Sequence, residues 1–314
     1  MPTMRISLGL PTHRVDLGSE FVSAAAITEL ARAAEDGGFD AVYVTEHPFP
    51  DARWLDTGGH HALDPFVALS FAAAVTERVR LQTNLVVLAY RNPFLAAKSI
   101  ASLDVLSGGR TIIGIGAGYL EGEFRALGVD PARRNELTDE SIRAMTAAWA
   151  GEQMRYDGEG FTAEGNLMLP RPVQTPRPPL WIGGNSRRAM RRVAELADGW
   201  IPMPTTGMSE SAVTSRLKTA SIKSTAVLAD RITELRQMFA DAGRDTPPTV
   251  AFTPPSLLMT RSNGPVPAAQ LVEEAGQLAA IGVSQLTLSF PGRTRRDLLV
   301  AMESFAADVI PQLP

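Results

Sequence analysis

A chain of 314 residues, 45% of them hydrophobic, can bury a sizeable core as one large α/β domain or two smaller ones. Lysine and arginine number 30 against 34 aspartates and glutamates, a net charge of -4 without a basic block, which argues against nucleic acid as a partner. The lack of cysteine excludes disulfides, iron–sulfur ligation and thiol catalysis, and four histidines supply a multi-histidine metal site poorly.

No apolar run is long enough to span a bilayer, and the start MPTMRISLGL has no signal-peptide pattern. A soluble cytoplasmic protein without a membrane partner is therefore expected.

Arg5 to Leu10 reads as a first strand ended by Pro11, and a helix follows from Phe21 to Asp36, stopped by Gly37-Gly38. Ala41 to Val44 is a second strand running into Thr45-Glu46-His47-Pro48. Phe49 to Leu63 reads as a loop carrying Trp54, His60 and His61, and Asp64-Pro65 opens the next helix with a cap and an N-terminal proline. Val79 to Val87 is a third strand, followed by a helix from Asn92-Pro93 to Leu106. Thr111 to Gly116 is a fourth, opening into Ala117-Gly118-Tyr119, with a helix from Asn135 to Trp149 after it. Gly151 to Pro178 is an insertion rich in glycine and proline, with short β signals at Tyr156 and Phe161.

The stretch from Pro179 to Trp200 organises the rest. Leu180 to Ile182 suits a strand buried on both faces, and Gly183-Gly184 follow at once. Asn185 and Ser186 are good helix caps, and Ala189, Met190, Val193, Ala194 and Leu196 recur at helical spacing. Such a helix start points free N–H groups above the strand, glycines let an anion come close, and Arg187 and Arg188 add positive charge. The competing reading is a tight βα turn with no ligand.

Trp200-Ile201 opens a sixth strand, and Leu228, Ile232, Leu235 and Phe239 share one helical face. Thr249 to Thr253 is a seventh strand, resuming at Ser256 to Met259 after Pro254-Pro255. A helix over Ala268 to Ala280, an eighth strand over Gln285 to Ser289 and a helix over Thr294 to Asp308 complete the chain. Eight strands, each followed by a helix, predict a single α/β domain over residues 1–314, a (β/α)8 TIM barrel with an insertion between the fourth helix and the fifth strand. Chemistry in such barrels sits at the carboxyl ends of the strands. Here those ends read Pro11-Thr12-His13, Glu46-His47, Asn84-Leu85, Gly116-Ala117-Gly118, Gly183 to Ser186, and Pro202-Met203-Pro204.

TEHPFP at 45–50, YRNPFLAAKSIASLDVLSGGR at 90–110, GIGAGY at 114–119 and PRPPLWIGGNSRRAMRRVAELADGW at 176–200 stand in this order around the eight-fold rhythm. Together they resemble the luciferase-like monooxygenase superfamily nearly end to end, and within it the coenzyme F420-dependent oxidoreductases. The resemblance implies a flavin-like ring across the barrel mouth, with its phosphate on Gly183, Gly184, Asn185 and Ser186 and with Gly116, Ala117 and Gly118 beneath its ribityl side. It also implies a non-proline cis peptide at Asn84–Leu85 propping the ring, a small-molecule substrate and a homodimer. FMN in a two-component monooxygenase is the alternative cofactor, and a flavin-binding relative without catalysis is a third reading. A metal hydrolase is rejected, because no His-x-His ends the first strand and no histidine follows strands four to eight.

Glu46 and His47 directly follow the second strand, so at least one is expected over the mouth as a catalytic group. Hydride transfer also needs a proton given or taken, and histidine titrates near neutrality. Glu46 would raise the His47 pKa and orient its ring; alternatively His47 packs against the cofactor and Glu46 anchors the loop. His13, Trp54 and His61 are candidates for substrate contact, and His60 in the same loop is a further candidate for lining the pocket. Arg216, Lys218 and Lys223, in the weakly patterned Met208 to Thr225 segment, could meet an anionic cofactor tail or face solvent. Asp104 and Arg110 read as structural, and Trp181 and Trp200 as core.

Overall fold

A computed structural model describes residues 4–206, 208–209, 213, 219–258 and 266–314. The barrel strands are β1 (Arg5–Gly9), β2 (Ala41–Val44), β3 (Arg80–Val87), β4 (Thr111–Gly116), β7 (Leu180–Gly183), β8 (Gly199–Ile201), β9 (Thr249–Phe252) and β10 (Gln285–Leu288), while β5 (Met154–Asp157) and β6 (Thr162–Asn166) form an antiparallel hairpin. The eight close in the order β1-β10-β9-β8-β7-β4-β3-β2, every neighbouring pair parallel.

Period-two alternation sorts their side chains. Ile6, Leu8, Val42, Leu81, Ile113, Ile182, Trp200, Val250 and Leu286 join the core shared with the helices. Ile112, Trp181, Ile201 and Ala251 form a separate cluster in the lumen, with Leu85 packed on it. Across the lumen Ser7 Oγ donates to Gln82 Oε1 at 2.6 Å and Gln285 Nε2 donates to Ser7 Oγ, so the barrel interior is filled rather than open.

The outer helices are α1 (Ala24–Asp36), α3 (Pro65–Val75), α4 (Pro93–Leu106), α6 (Arg134–Trp149), α7 (Arg187–Leu196), α8 (Thr225–Asp241), α9 (Ala268–Ile281) and α10 (Arg295–Asp308). Their starts obey capping chemistry: Asp64 accepts from Phe66 and Val67 N–H, Asn92 from Phe94 and Leu95, and Thr294 with Asp297 forms a reciprocal capping box. Ser23 caps α1 from the Ala26 N–H, which starts that helix at Ala24 rather than at the expected Phe21.

Two short helices lie where the sequence reads as loop: α2 (Ala52–Asp56), capped by Asp51, and α5 (Glu121–Ala126). The expected resumption of strand at Ser256 is overturned, since residues 255–258 are helical. Ser256 there gives its backbone N–H and its hydroxyl to the Glu274 carboxylate rather than to a strand neighbour. Met259, like Arg216 and Lys218, lies outside the described residues.

Candidate active site

His47 stands three residues beyond β2 and is buried at the mouth. Aromatic rings surround it. Trp54, carried in by α2, lies 4.4 Å away between ring centroids, His60 4.8 Å and Tyr119 6.1 Å. His60 in turn meets His13, from the end of β1, at 5.2 Å. The residues after β1, β2 and β4 thus share one aromatic wall with the loop that follows β2.

His13 and Trp54 both stand in this wall, but His61 does not: it is exposed, and its carbonyl lies 2.9 Å from His60 Nδ1. His60 is the member of that pair turned into the cluster. Period arguments do not distinguish adjacent histidines in an irregular loop.

The carboxylate beside His47 is Glu123, not Glu46. Glu123 Oε2 lies 3.2 Å from His47 Nδ1 and accepts the Tyr90 hydroxyl at 3.2 Å, while Oε1 accepts the Phe49 N–H at 3.1 Å. Glu123 is only 1% exposed, so its contacts with the imidazole, the phenol and the backbone are shielded from water. Burial, then the charge of Glu123, pushes the Tyr90 phenol far above its ordinary value, which keeps it a neutral donor. Glu123 is not legible from sequence pattern because it sits on α5, a helix too short to leave a periodic signal.

Glu46 is committed elsewhere. Its Oε2 accepts the Val87 N–H at 2.6 Å and its Oε1 accepts Arg91 Nε at 3.1 Å, with a second Arg91 contact from Nη2. Arg91 also reaches Asp64 at 2.8 Å. Burial pushes the Glu46 carboxyl upward while the Arg91 charge pulls back. This chain ties the end of β2 to the end of β3 and the start of α3. It gives Glu46 an anchoring role at the mouth.

At the end of β7 the turn keeps part of its expected character. Gly184 has φ +97°, the left-handed region that favours glycine, and a Cβ there would meet only Ala189 at 3.7 Å. Trp200 Nε1–H fixes the turn by donating to the Gly184 carbonyl at 2.8 Å. Ser186 caps α7 by accepting the Ala189 N–H, which leaves its own hydroxyl proton and the Arg187 and Arg188 N–H groups without intrahelical partners.

Asn185 is different. Its Nδ2 donates to the Met203 and Ala220 carbonyls, its Oδ1 accepts the Met203 N–H, and its backbone N–H goes to Thr219 Oγ1. Asn185 therefore links the β7 and β8 ends instead of offering its side chain to a ligand.

The Asn84–Leu85 peptide is cis. The Leu85 side chain lies against Gly116 and so close over Gly183 that a Cβ at Gly183 would collide with Leu85 Cδ1. It forms the apolar floor of the mouth. Gly118, at φ +77°, is required by packing as well, since a Cβ would stand 2.8 Å from the Phe124 ring. Ala117 is half-buried beside it. Among the described residues, no group of three or more His, Asp or Glu is placed to hold a metal ion, and no helix is long and apolar enough to cross a membrane.

The family model for luciferase-like monooxygenases matches residues 4–220. The chain belongs to that family. Among relatives of this luciferase-like protein, an uncharacterized protein of Mycobacterium tuberculosis (strain ATCC 25618 / H37Rv) is 31% identical over 88% of this chain and 91% of its own. An F420-dependent glucose-6-phosphate dehydrogenase of Microbacterium testaceum (strain StLB037) is 32% identical over 59% of this chain and 53% of its own. The crystal structure of a monooxygenase from Streptomyces bottropensis shares the fold at a TM-score of 0.76 and 21% identity, covering 98% of this chain and 99% of that one.

Proposed function

We propose that this luciferase-like protein is an F420-dependent oxidoreductase that moves a hydride between the deazaflavin and a small organic substrate. The observation that carries the reading is His47: a titratable ring at the carboxyl end of a barrel strand, walled by aromatics and backed by the buried Glu123 at 3.2 Å. Bound F420 would supply a carbon hydride carrier, a two-electron chemistry that belongs to the cofactor.

The chain's own residues would do the rest. Gly184, open on its outer side, with Ser186 and the first N–H groups of α7, would hold the phosphate. Leu85 would floor the ring, and Trp54, His60 and His13 would exclude water and bound the substrate. His47 would exchange the proton that accompanies the hydride, with Glu123 fixing which ring nitrogen carries it.

The named F420-dependent relative supports this choice of cofactor. FMN in a two-component monooxygenase is the second reading, favoured by the likeness of fold to a monooxygenase. A homodimer goes with either, and the exposed Val67 and Phe71 of α3 with Leu95 and Leu106 of α4 support pairing through those helices.

Titrating the apo-protein separately with F420 and with FMN, followed by fluorescence, tests the reading. Tight binding of FMN alone would shift it to the monooxygenase, and binding of neither would refute the site. Gly184→Val, which costs about 1–2 kcal/mol at a left-handed φ, should remain folded and lose F420 affinity at least about tenfold, roughly 1.4 kcal/mol. An unchanged Kd would remove the phosphate from this turn.

A further inference from the structure

A group that exchanges a proton with substrate must exchange it again with water before the next turnover. His47 is 9% exposed, and Glu123 on its Nδ1 side is 1% exposed. Beyond Glu123 stands the Tyr90 phenol, which donates to the same Oε2. Burial and the Glu123 charge keep that phenol neutral. The inner side of the imidazole is therefore closed by a buried carboxyl and a hydroxyl already committed to it.

The other sides of His47 meet three rings among the described residues. Trp54, at 4.4 Å, has an indole N–H and no basic nitrogen. Tyr119, at 6.1 Å, is the farthest of the three. His60 meets His47 edge-on at 4.8 Å and 81°, and its side-chain type titrates near neutrality. His13 continues the line at 5.2 Å from His60. His13 and His60 are both half-buried, so the line runs from a buried imidazole to two that reach solvent.

Hydrogen bonds assign the ring nitrogens. A carbonyl oxygen only accepts, so His60 Nδ1, 2.9 Å from the His61 carbonyl, carries a hydrogen. His47 Nδ1 likewise donates to Glu123 Oε2 at 3.2 Å. In both rings Nδ1–H is held by an acceptor, which makes Nε2 the nitrogen that gains or loses a proton. Two adjacent imidazoles thus share one tautomer.

We propose that His60 is the proton relay of this site, passing protons between His47 and solvent with His13 as the outer member of the line; this rests on the reading of His47 above. When substrate receives a hydride, His47 gives it the Nε2 proton and is left neutral. An imidazolium at His60 then passes its Nε2 proton to His47 Nε2, directly or across one water, and takes another from solvent or from His13. Substrate oxidation runs the same line in reverse. One proton moves per hydride, and the relay carries no electrons.

The test uses the apo-protein with 15N-labelled histidine, four residues in all, and measures by NMR how fast the labile ring protons of His47 exchange with water. His60→Gln should slow that exchange about 10²-fold, the lower end of what a positioned acid–base group contributes. Free imidazole, added in rising concentration, should restore it, and the melting temperature should stay at the parent value. His13→Gln should slow exchange less. His61→Gln, which keeps the backbone carbonyl and alters a ring outside the cluster, should exchange at the parent rate. Parent-rate exchange in His60→Gln would overturn the relay. So would slowed exchange that imidazole does not restore, because that marks a structural role. Neither result bears on the choice of cofactor; failure of F420 to bind would end the F420 reading while the exchange measurement still decides the path.

Discussion

The two ends of the barrel use the same buried charged residues for opposite purposes. At the amino end Arg110, Asp104 and Glu35 are spent on structural hydrogen bonds, most of them to backbone. Arg110 gives its five side-chain N–H bonds to the Ser107, Ala73, Thr76 and Val79 carbonyls and the Thr76 hydroxyl, closing the end of α3 onto the start of β4. Asp104 accepts from the Thr111 hydroxyl and from the backbone and side chain of Gln174, and Glu35 accepts the N–H groups of Glu77, Arg78 and Val79. At the mouth Glu46 repeats that pattern, but Glu123 sets one oxygen on a titratable ring.

A cleft of about 340 Å³ lies at the amino end beside Arg5, Asp40 and Arg80, so a cleft by itself does not separate the ends. The partners of the buried charges do. A carboxylate whose oxygens accept N–H groups is committed to holding the backbone; one set beside an imidazole can take part in proton exchange.

That contrast is best broken at His47. His47→Gln keeps a polar side chain of similar reach without the titrating nitrogen. Turnover should fall about 10²–10⁴-fold, the usual range for a general acid or base, with cofactor Kd within a few-fold and the melting temperature little changed. Parent-rate turnover would end the assignment. Glu123→Gln should cost less, on the order of tenfold in turnover, roughly 1.4 kcal/mol. The loss should appear in turnover rather than in cofactor Kd or melting temperature, a split that a merely structural carboxylate would not produce.

The amino end should answer in the other currency. Arg110→Met leaves buried carbonyls without donors, so urea unfolding should report a loss of about 3–5 kcal/mol. The folded fraction should bind the proposed cofactor with the parent's Kd; a change there would mean that the two ends are coupled.

The smallest expected effect is at Glu35. Burial pushes its carboxyl up, but the Val79, Arg78 and Glu77 N–H groups, helped by the Arg78 charge, hold it below its ordinary value. The native state then binds this proton less readily than the unfolded chain. Its contribution is full above the ordinary glutamate range and is lost as pH falls through the lowered native pKa. Glu35→Gln should therefore cost about 1 kcal/mol at neutral pH, and the gap to the parent should close on acidification. A gap independent of pH would assign the effect to packing instead.

Much of this organisation was legible in the chain before any coordinates. Eight apolar strands announce themselves because each is short, buried and bounded by turn residues, and Asp64-Pro65, Asn92-Pro93 and Ser186 mark helix starts by chemistry that acts within three residues. The strand ends then put His13, His47 and the Gly183-Gly184 turn at one face, since parallel strands in a closed barrel can end nowhere else.

What local pattern does not encode is the partner of a side chain. Glu46 and Glu123 are both buried glutamates, and only the closure of β2 against β3, with Arg91 brought across, commits the first to Val87 while α5 folds the second onto His47, 76 residues away in sequence. The same holds for Asn185, a helix cap by sequence that tertiary contacts with Met203, Thr219 and Ala220 turn inward, and for His60 over His61. Hydrophobic period and capping are set by neighbours along the chain; the allocation of a buried charge is set by whichever donor packing brings within about 3 Å, and that distance exists only once the barrel has closed.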